Sequence, residues 1–221
     1  MDNYELMLRA AKRRFLEYDP AVLAKGPGVA DEGQFLSTVF LGETVLVEKS
    51  TGEILFPKDG RAGTFSECLT VFDWLCDRKG YAAASDEFCS VSSLPGVLVR
   101  GSGLSMGAQT LAARIEKDPG AFEAACRAMG GERICLGDMG FRLNAFPDLP
   151  LELKFYRSDE EFPPSLTLLW NKNTLQFLRY ETIYYLAACL VRRLEENMSL
   201  PQSRGNPRRF SDTHSRGAAS E

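Results

Sequence analysis

The segment 149–194 constrains the fold more than any other part of the sequence. Apolar and polar residues alternate from Leu149 to Tyr156, which is the period of a strand buried on one face. A second alternating segment, 165–170, follows Pro163 and Pro164, which cannot donate ladder hydrogen bonds and therefore belong before a strand. A long apolar segment with helical periodicity completes the unit. The order predicts a strand, an acidic hairpin tip, a second strand and a closing helix.

The same periodicities predict the remaining elements. Alternation in 34–48 and 54–56 indicates a three-stranded meander, because turns at Gly42-Glu43 and at 50–52 separate the segments. Asp-Pro pairs at 19–20 and 118–119 match the N-cap and first position of helices. Further helices are predicted at 3–18, 64–79, 106–117 and 119–128, and short strands at 87–91, 132–136 and 139–145. We therefore predict an α+β fold in which one antiparallel sheet, formed by the meander and the C-terminal hairpins, packs against helices.

The domain limits follow from composition. Residues 1–198 are predicted to form a single α+β domain, since 221 residues with 44% hydrophobic content suit one core. From 199 to 221 the chain is rich in Pro, Ser, Arg and Gly, and burial there cannot offset the entropy of ordering. We predict a disordered tail for that range.

Charge and hydropathy limit the partners and the location. The formal net charge of −4 argues against a nucleic-acid partner, because such binding depends on neutralising phosphates. The N-terminal residues lack the pattern of a signal peptide, and the most apolar run, 183–191, is shorter than a membrane span of about 20 residues. We predict a cytoplasmic protein that binds neither nucleic acid nor membrane. The sequence leaves the oligomeric state, including a homo-oligomeric scaffold, open.

The metal-binding residue types are few and widely spaced. The six cysteines include no pair within seven positions, so none starts a zinc or iron–sulfur motif. The single histidine, His214, lies in the predicted tail. We predict no metal site and no cofactor motif, and we expect the cysteines to be buried, reduced thiols.

The acidic tip is the main candidate for a functional site. Asp159-Glu160-Glu161 could be a solvated turn, a contact for a ligand or partner, or a catalytic cluster. Adjacent carboxylates seldom reach the differing environments that acid–base catalysis requires, and the spacing of a calcium loop is missing. The sole histidine lies in the predicted tail, which makes a Cys–His dyad implausible, so no catalytic residue is assigned. The candidate binding residues are Arg100, Asp159, Glu160, Glu161, Phe162 and Trp170.

The tip also carries a family resemblance. Residues 156–165, Tyr-Arg-Ser-Asp-Glu-Glu-Phe-Pro-Pro-Ser, are similar to an aromatic, Gly-Asp-Glu-Glu-Phe-Pro-Pro signature of the prokaryotic domain of unknown function 3786 family. Supporting matches lie at 94–96, 118–122, 130–133 and 136–138, and the resemblance covers about residues 3–195. This chain departs from the family pattern at Ser158, where glycine is usual, and at 170–172, where relatives often carry Phe-Asp.

The resemblance implies a context without a defined activity. Members occur largely in anaerobic bacteria and archaea, and some are joined to iron–sulfur cluster domains like those of corrinoid proteins. The first hypothesis is therefore a non-catalytic binding or accessory module that serves a corrinoid or iron–sulfur protein in one-carbon metabolism. The second is a hydrolase or transferase that uses the acidic cluster with Arg100 or Arg133. The cysteines of this chain lack the spacing of the cluster domain.

Overall fold

The computed structural model describes residues 3–80, 82–97 and 108–200. Within these ranges the α-helices are α1 (Asn3–Leu16), α2 (Pro20–Leu23), α3 (Phe65–Asp77), α4 (Ala108–Lys117), α5 (Pro119–Ala128) and α6 (Tyr180–Ser199). The strands are β1 (Ala30–Glu32), β2 (Phe35–Phe40), β3 (Glu43–Glu48), β4 (Ile54–Phe56), β5 (Arg61–Ala62), β6 (Phe88–Cys89), β7 (Glu132–Ile134), β8 (Met139–Phe146), β9 (Leu149–Tyr156) and β10 (Ser165–Asn171). The predicted α+β class is confirmed.

The strands form two antiparallel sheets where the sequence predicted one. The first is a meander with the order β1-β2-β3-β4-β5, and the second has the order β6-β10-β9-β8-β7. Both consist mainly of neighbours in sequence, and the segment 149–194 supplies the central hairpin of the second sheet and the helix after it. The predicted strand, tip, strand and helix of that segment are confirmed.

Aromatic side chains join the two sheets. Phe146, at the end of β8, lies with its ring centroid 5.0 Å from that of Phe40 in β2. Phe146 also stacks on Trp74 of α3, at a centroid distance of 4.3 Å and with nearly parallel planes. A backbone hydrogen bond of 2.9 Å from Leu41 N–H to the Ala145 carbonyl adds a polar link. One hydrophobic core therefore includes both sheets.

Helices α3 and α6 pack against each other, and their contact includes a buried ionic cluster. Glu67 of α3 is fully buried and accepts hydrogen bonds from Arg61, Arg192 and Arg193 at 2.7 to 3.2 Å. Glu43 pairs with Arg193 as well. Removing one partner of a buried ion pair leaves an uncompensated charge, which is strongly destabilising, so this cluster couples α6 to α3 and the first sheet.

Among the described residues, no helix is both long and apolar enough to cross a bilayer. Helix α6 ends at Ser199, and residues 201–221 of the predicted tail lie outside the described ranges, as does Arg100.

Candidate functional site

The candidate site is the connection between the two central strands of the second sheet, residues 157–164, which we call the acidic loop. Tyr156 of β9 pairs with Ser165 of β10, so the eight residues between them leave and re-enter the sheet at one point. The pairing places Asp159, Glu160, Glu161 and Phe162 together on one short connection, as the sequence predicted.

Asp159 gives the loop its turn. Its Oδ1 accepts hydrogen bonds from the backbone N–H groups of Glu161 at 2.9 Å and Phe162 at 2.8 Å. Its own N–H donates to the Phe162 carbonyl at 3.0 Å. The two bonds to the carboxylate lower the pKa of Asp159. The side chain therefore caps a turn. Because the same bonds favour its ionised form, it is a poor proton donor at neutral pH.

Two carboxylates from other elements hold the start of the loop. Arg157 N–H donates to Oδ2 of Asp138 at 2.8 Å. Ser158 donates to Oε1 of Glu116 from its N–H at 2.8 Å and from its hydroxyl at 2.5 Å. The hydroxyl and then the N–H of Ser158 lower the pKa of Glu116. The Ser158 hydroxyl therefore adds a bond that a glycine at this position would not make.

A glycine places Asp138 within reach of the loop. Gly137 has φ of +62°, and a Cβ there would lie 2.5 Å from the Phe155 carbonyl oxygen. Asp138 N–H in turn donates to the same carbonyl at 2.9 Å. Only glycine accommodates both the conformation and the close approach, so the turn before β8 is fixed against β9.

The outer part of the loop faces solvent. Phe162 is 65% exposed, the highest value among the large hydrophobic side chains of the described residues. Glu160 and Glu161 are exposed, and neither side chain has an ion-pair or hydrogen-bond partner in the described part of the chain. The loop thus has ordered backbone contacts on its inner side and an aromatic ring with two unpaired carboxylates on its outer side.

A cleft of about 670 Å³ lies beside the acidic loop. Its apolar lining comes from aromatic and proline side chains, and its polar lining from the start of the loop, α4 and the β7–β8 turn. The lining residues are Gln109, Asp138, Tyr156, Arg157, Ser158, Asp159, Phe162, Pro163 and Ser165. The volume is within the range of small-molecule sites, although both carboxylates in the lining already accept backbone hydrogen bonds.

The structure does not bring every candidate residue to the loop. Trp170 is 2% exposed and lies in β10 between Leu151 of β9 and Cys89 of β6, so it contributes to the core. Arg100 lies outside the described residues. Arg133 pairs with Glu123 at 2.9 Å. Of the candidate binding residues, the acidic loop therefore contains Asp159, Glu160, Glu161 and Phe162.

The cysteine prediction needs one correction. Cys135 is exposed, because β7 ends at Ile134 and Cys135 begins the turn that follows. Cys89 is half-buried, and the four remaining cysteines are buried. Burial raises the pKa of Cys68 to about 12 and that of Cys76 to about 11, so those two thiols stay protonated at neutral pH. The described residues contain no cluster of three side chains suited to a metal ion.

Sequence reasoning missed the residues that support the loop. Glu116 is 42 positions from Ser158 and ends an ordinary amphipathic helix, so no local pattern connects them. Asp138 had a weak signal, since an Asp after a Gly is typical of a turn and this pair is one of the family matches. Neither residue was predicted to hold the hairpin tip.

Replacing Glu116 tests whether the loop is held in place. We expect Glu116→Ala to speed amide hydrogen exchange at Ser158 and its neighbours while leaving exchange in β9 and β10 unchanged, because it removes both bonds to Ser158. The control is Lys117→Ala, at the exposed end of the same helix. Equal exchange of the loop in the two variants would show that Glu116 does not support it.

The molecule is thus an α+β protein whose most defined surface feature is a supported acidic loop. Comparison with known families identifies it: the model described as a domain of unknown function, DUF3786, matches residues 19–193. The chain belongs to this family, and helix α1 lies before the matched region. Neither the curated proteins nor the solved structures contain a match.

Proposed function

We propose that the protein is a non-catalytic binding module and that the acidic loop is its contact surface. The observation that carries the proposal is the combination of a supported backbone and a 65% exposed Phe162. Exposing a large aromatic ring is unfavourable in water, and aromatic residues dominate the binding energy of many interfaces. A loop that is already ordered also loses less conformational entropy when it binds.

The loop defines what a partner must offer. Phe162 requires an apolar pocket, and the unpaired Glu160 and Glu161 require basic groups beside that pocket. Pro163 and Pro164 restrict the backbone after the ring, which favours a single presentation of the side chain. The partner surface is therefore a hydrophobic pocket with a basic rim.

The partner class comes from the family resemblance. Relatives joined to iron–sulfur domains like those of corrinoid proteins suggest a corrinoid or iron–sulfur protein of anaerobic one-carbon metabolism. In this proposal the partner holds the corrinoid, and this chain contacts the partner protein in the cytoplasm. The acidic loop suits a protein surface better than it suits an anionic cofactor, because its three carboxylates outnumber the single Arg157.

The alternative is a hydrolase or transferase that acts through the acidic cluster, and the cleft beside Asp159 is the feature in its favour. Catalysis by a general acid would need a carboxyl pKa raised towards neutral pH. The pKa of Asp159 is lowered by its backbone partners instead. Glu160 and Glu161 belong to the exposed side of the loop and are not part of the described cleft lining. We therefore favour the binding module.

Anaerobic affinity purification from the native host tests the proposal. We expect the wild-type chain to retain a partner whose absorption spectrum shows a corrinoid or an iron–sulfur cluster and whose identity follows from mass spectrometry. Phe162→Ala should lose that partner because it removes the exposed anchor. Val22→Ala, a truncation at a side chain that is 56% exposed on α2, is the control and should retain it.

Two outcomes would count against the proposal. A partner retained equally by Phe162→Ala would place the contact surface elsewhere on the molecule. If Phe162→Ala loses a partner that has neither chromophore, the protein is still a binding module, but the proposal that its partner is a corrinoid or iron–sulfur protein is wrong.

A further inference from the structure

The acidic loop has a charge that nothing in the described structure balances. Asp159, Glu160 and Glu161 against Arg157 give the loop a formal charge of −2. The Asp159 carboxylate accepts the hydrogen bonds of the turn, whereas Glu160 and Glu161 precede the exposed Phe162 in the loop. The surface that a partner would meet is therefore two acidic groups followed by an aromatic ring.

The C-terminal segment 201–221 has the complementary composition. Its four arginines, against Asp212 and Glu221, give it a formal charge of +2. Two of the arginines are adjacent and precede the one aromatic residue of the segment, in the order Arg208-Arg209-Phe210. Each of the two sequences, Arg208-Arg209-Phe210 in the segment and Glu160-Glu161-Phe162 in the loop, has two charged residues before a phenylalanine, and the charges are opposite in sign.

The segment starts beside α4, the helix whose Glu116 supports the loop. Ser199, at the end of α6, accepts a hydrogen bond of 3.1 Å from Arg114 of α4. Two residues further along α4, a rise of about 3 Å, Glu116 holds Ser158 at the start of the acidic loop. Arg208 is eight residues beyond Leu200, a maximum reach of about 27 Å for an extended chain. The connection is long enough for Arg208 to reach the loop from this position.

We propose that Arg208-Arg209-Phe210 of the same chain docks on the acidic loop, with the arginines beside Glu160 and Glu161 and the Phe210 ring against Phe162. Arginine pairs with carboxylates through a planar fork, and aromatic rings gain from edge or offset contact. The segment then occupies the surface that a partner needs, so a partner must displace it. This inference rests on the proposed role of the loop as a contact surface.

A cysteine of the natural sequence allows the contact to be tested. Cys135 is exposed and lies three residues before Asp138, the residue that holds Arg157. A nitroxide attached to Cys135, in a Cys89→Ser background that removes the half-buried thiol, should broaden the backbone amide signals of residues 208–212. Equal intensities of those signals with the oxidised and the reduced label would overturn the proposal.

Charge reversal separates this contact from a general attraction. We expect Arg208→Glu/Arg209→Glu to abolish the broadening, and Arg204→Glu/Arg216→Glu, with the same change in net charge, to retain it. Adding Glu160→Lys/Glu161→Lys to the first variant should restore the broadening, because the two charges are exchanged. Two results would contradict the pairing of the arginines with Glu160 and Glu161. The first is a loss of broadening in both arginine variants, and the second is no return of the broadening in the variant with all four charges reversed.

The test also distinguishes the docking from the function of the loop. If the amide signals are never broadened while Phe162→Ala still loses its partner, the docking is wrong and the binding module stands. If the docking occurs and no partner depends on Phe162, the proposed function fails and the acidic loop binds the chain's own segment.

Discussion

Replacing Glu67 by glutamine is expected to lower the free energy of unfolding by about 3 to 5 kcal/mol, as is typical when one partner of a buried ion pair is removed. Glu67 is fully buried and is the shared acceptor of Arg61, Arg192 and Arg193. Glutamine keeps the volume but removes the buried carboxylate that the three guanidinium groups share, and their other acidic partners, Glu43, Asp59 and Glu196, are more exposed. Urea denaturation of the two proteins at about pH 7 measures the difference.

The same substitution has a defined pH dependence. Burial alone would raise the pKa of Glu67, but hydrogen bonds from Arg61 and Thr64 and the charge of Arg192 outweigh it and lower the pKa from 4.5 to about 2. A lowered folded-state pKa gives stability that is complete above the unfolded value of 4.5 and is lost as the pH falls towards 2. The difference between wild type and Glu67→Gln should therefore shrink below pH 4.5.

Glu53→Ala provides the control for this prediction. Glu53 forms an exposed ion pair with Lys12, and pairs of that kind contribute about 0 to 1 kcal/mol. A loss from Glu67→Gln no larger than that of Glu53→Ala would show that the buried cluster does not stabilise the contact between α3 and α6. A difference that stays constant from pH 7 to pH 3 would reject the lowered pKa of Glu67.

Truncating Phe146 to alanine is expected to cost about 3 to 5 kcal/mol of unfolding free energy, the usual range for a buried phenylalanine. Its ring lies between Trp74 and Phe40 and so joins α3, the first sheet and the second sheet. The lost contacts cannot be regained by a small local shift, because the two neighbours belong to different layers. Thermal and urea unfolding measure the effect.

Phe162→Ala is the matched control, since it removes the same atoms from an exposed position. It should change the unfolding free energy by no more than about 0.5 kcal/mol. A comparable loss from both truncations would mean that Phe162 packs into the fold and is not available to a partner. A small loss from Phe146→Ala would mean that the sheets are held together by other contacts.

The individual helices and strands could be predicted because their signals are local. The alternation from Leu149 to Tyr156, the Asp-Pro caps and the helical spacing each depend on residues within a few positions of one another. Alternation shows which face of a strand is buried, but not which distant strand or helix covers that face. The division into two sheets depends on such contacts, including that between Phe40 and Phe146, and was therefore not predicted.

The first hairpin shows how a distant contact changes a turn. The sequence indicated a turn at Gly42-Glu43, whereas the connection between β2 and β3 is Leu41-Gly42, with positive φ at both residues. This is the usual backbone of a two-residue hairpin, but leucine is uncommon there. Leu41 is buried and its N–H bonds to Ala145 of the second sheet, and these contacts offset the unfavourable conformation.

One part of the candidate site could likewise be predicted from local sequence, and the other part could not. Asp159 to Glu161 could be predicted as an exposed hairpin tip, because charged residues and prolines follow an alternating strand. The side chains that support the tip, Glu116 and Asp138, belong to other elements and bind backbone N–H groups. Because every residue except proline has such a group, the sequence does not indicate which one is bound. Trp170 could not be placed by residue type alone, since an aromatic side chain suits both a core and a binding site.

The central claim is that the acidic loop binds a partner through Phe162, and calorimetry with the purified partner under anaerobic conditions tests it most directly. We expect Phe162→Ala to weaken binding by at least about 2 kcal/mol, or roughly 30-fold in Kd, as for an interface anchor. Val22→Ala should leave Kd unchanged. Equal Kd values for wild type, Phe162→Ala and Val22→Ala would contradict the claim.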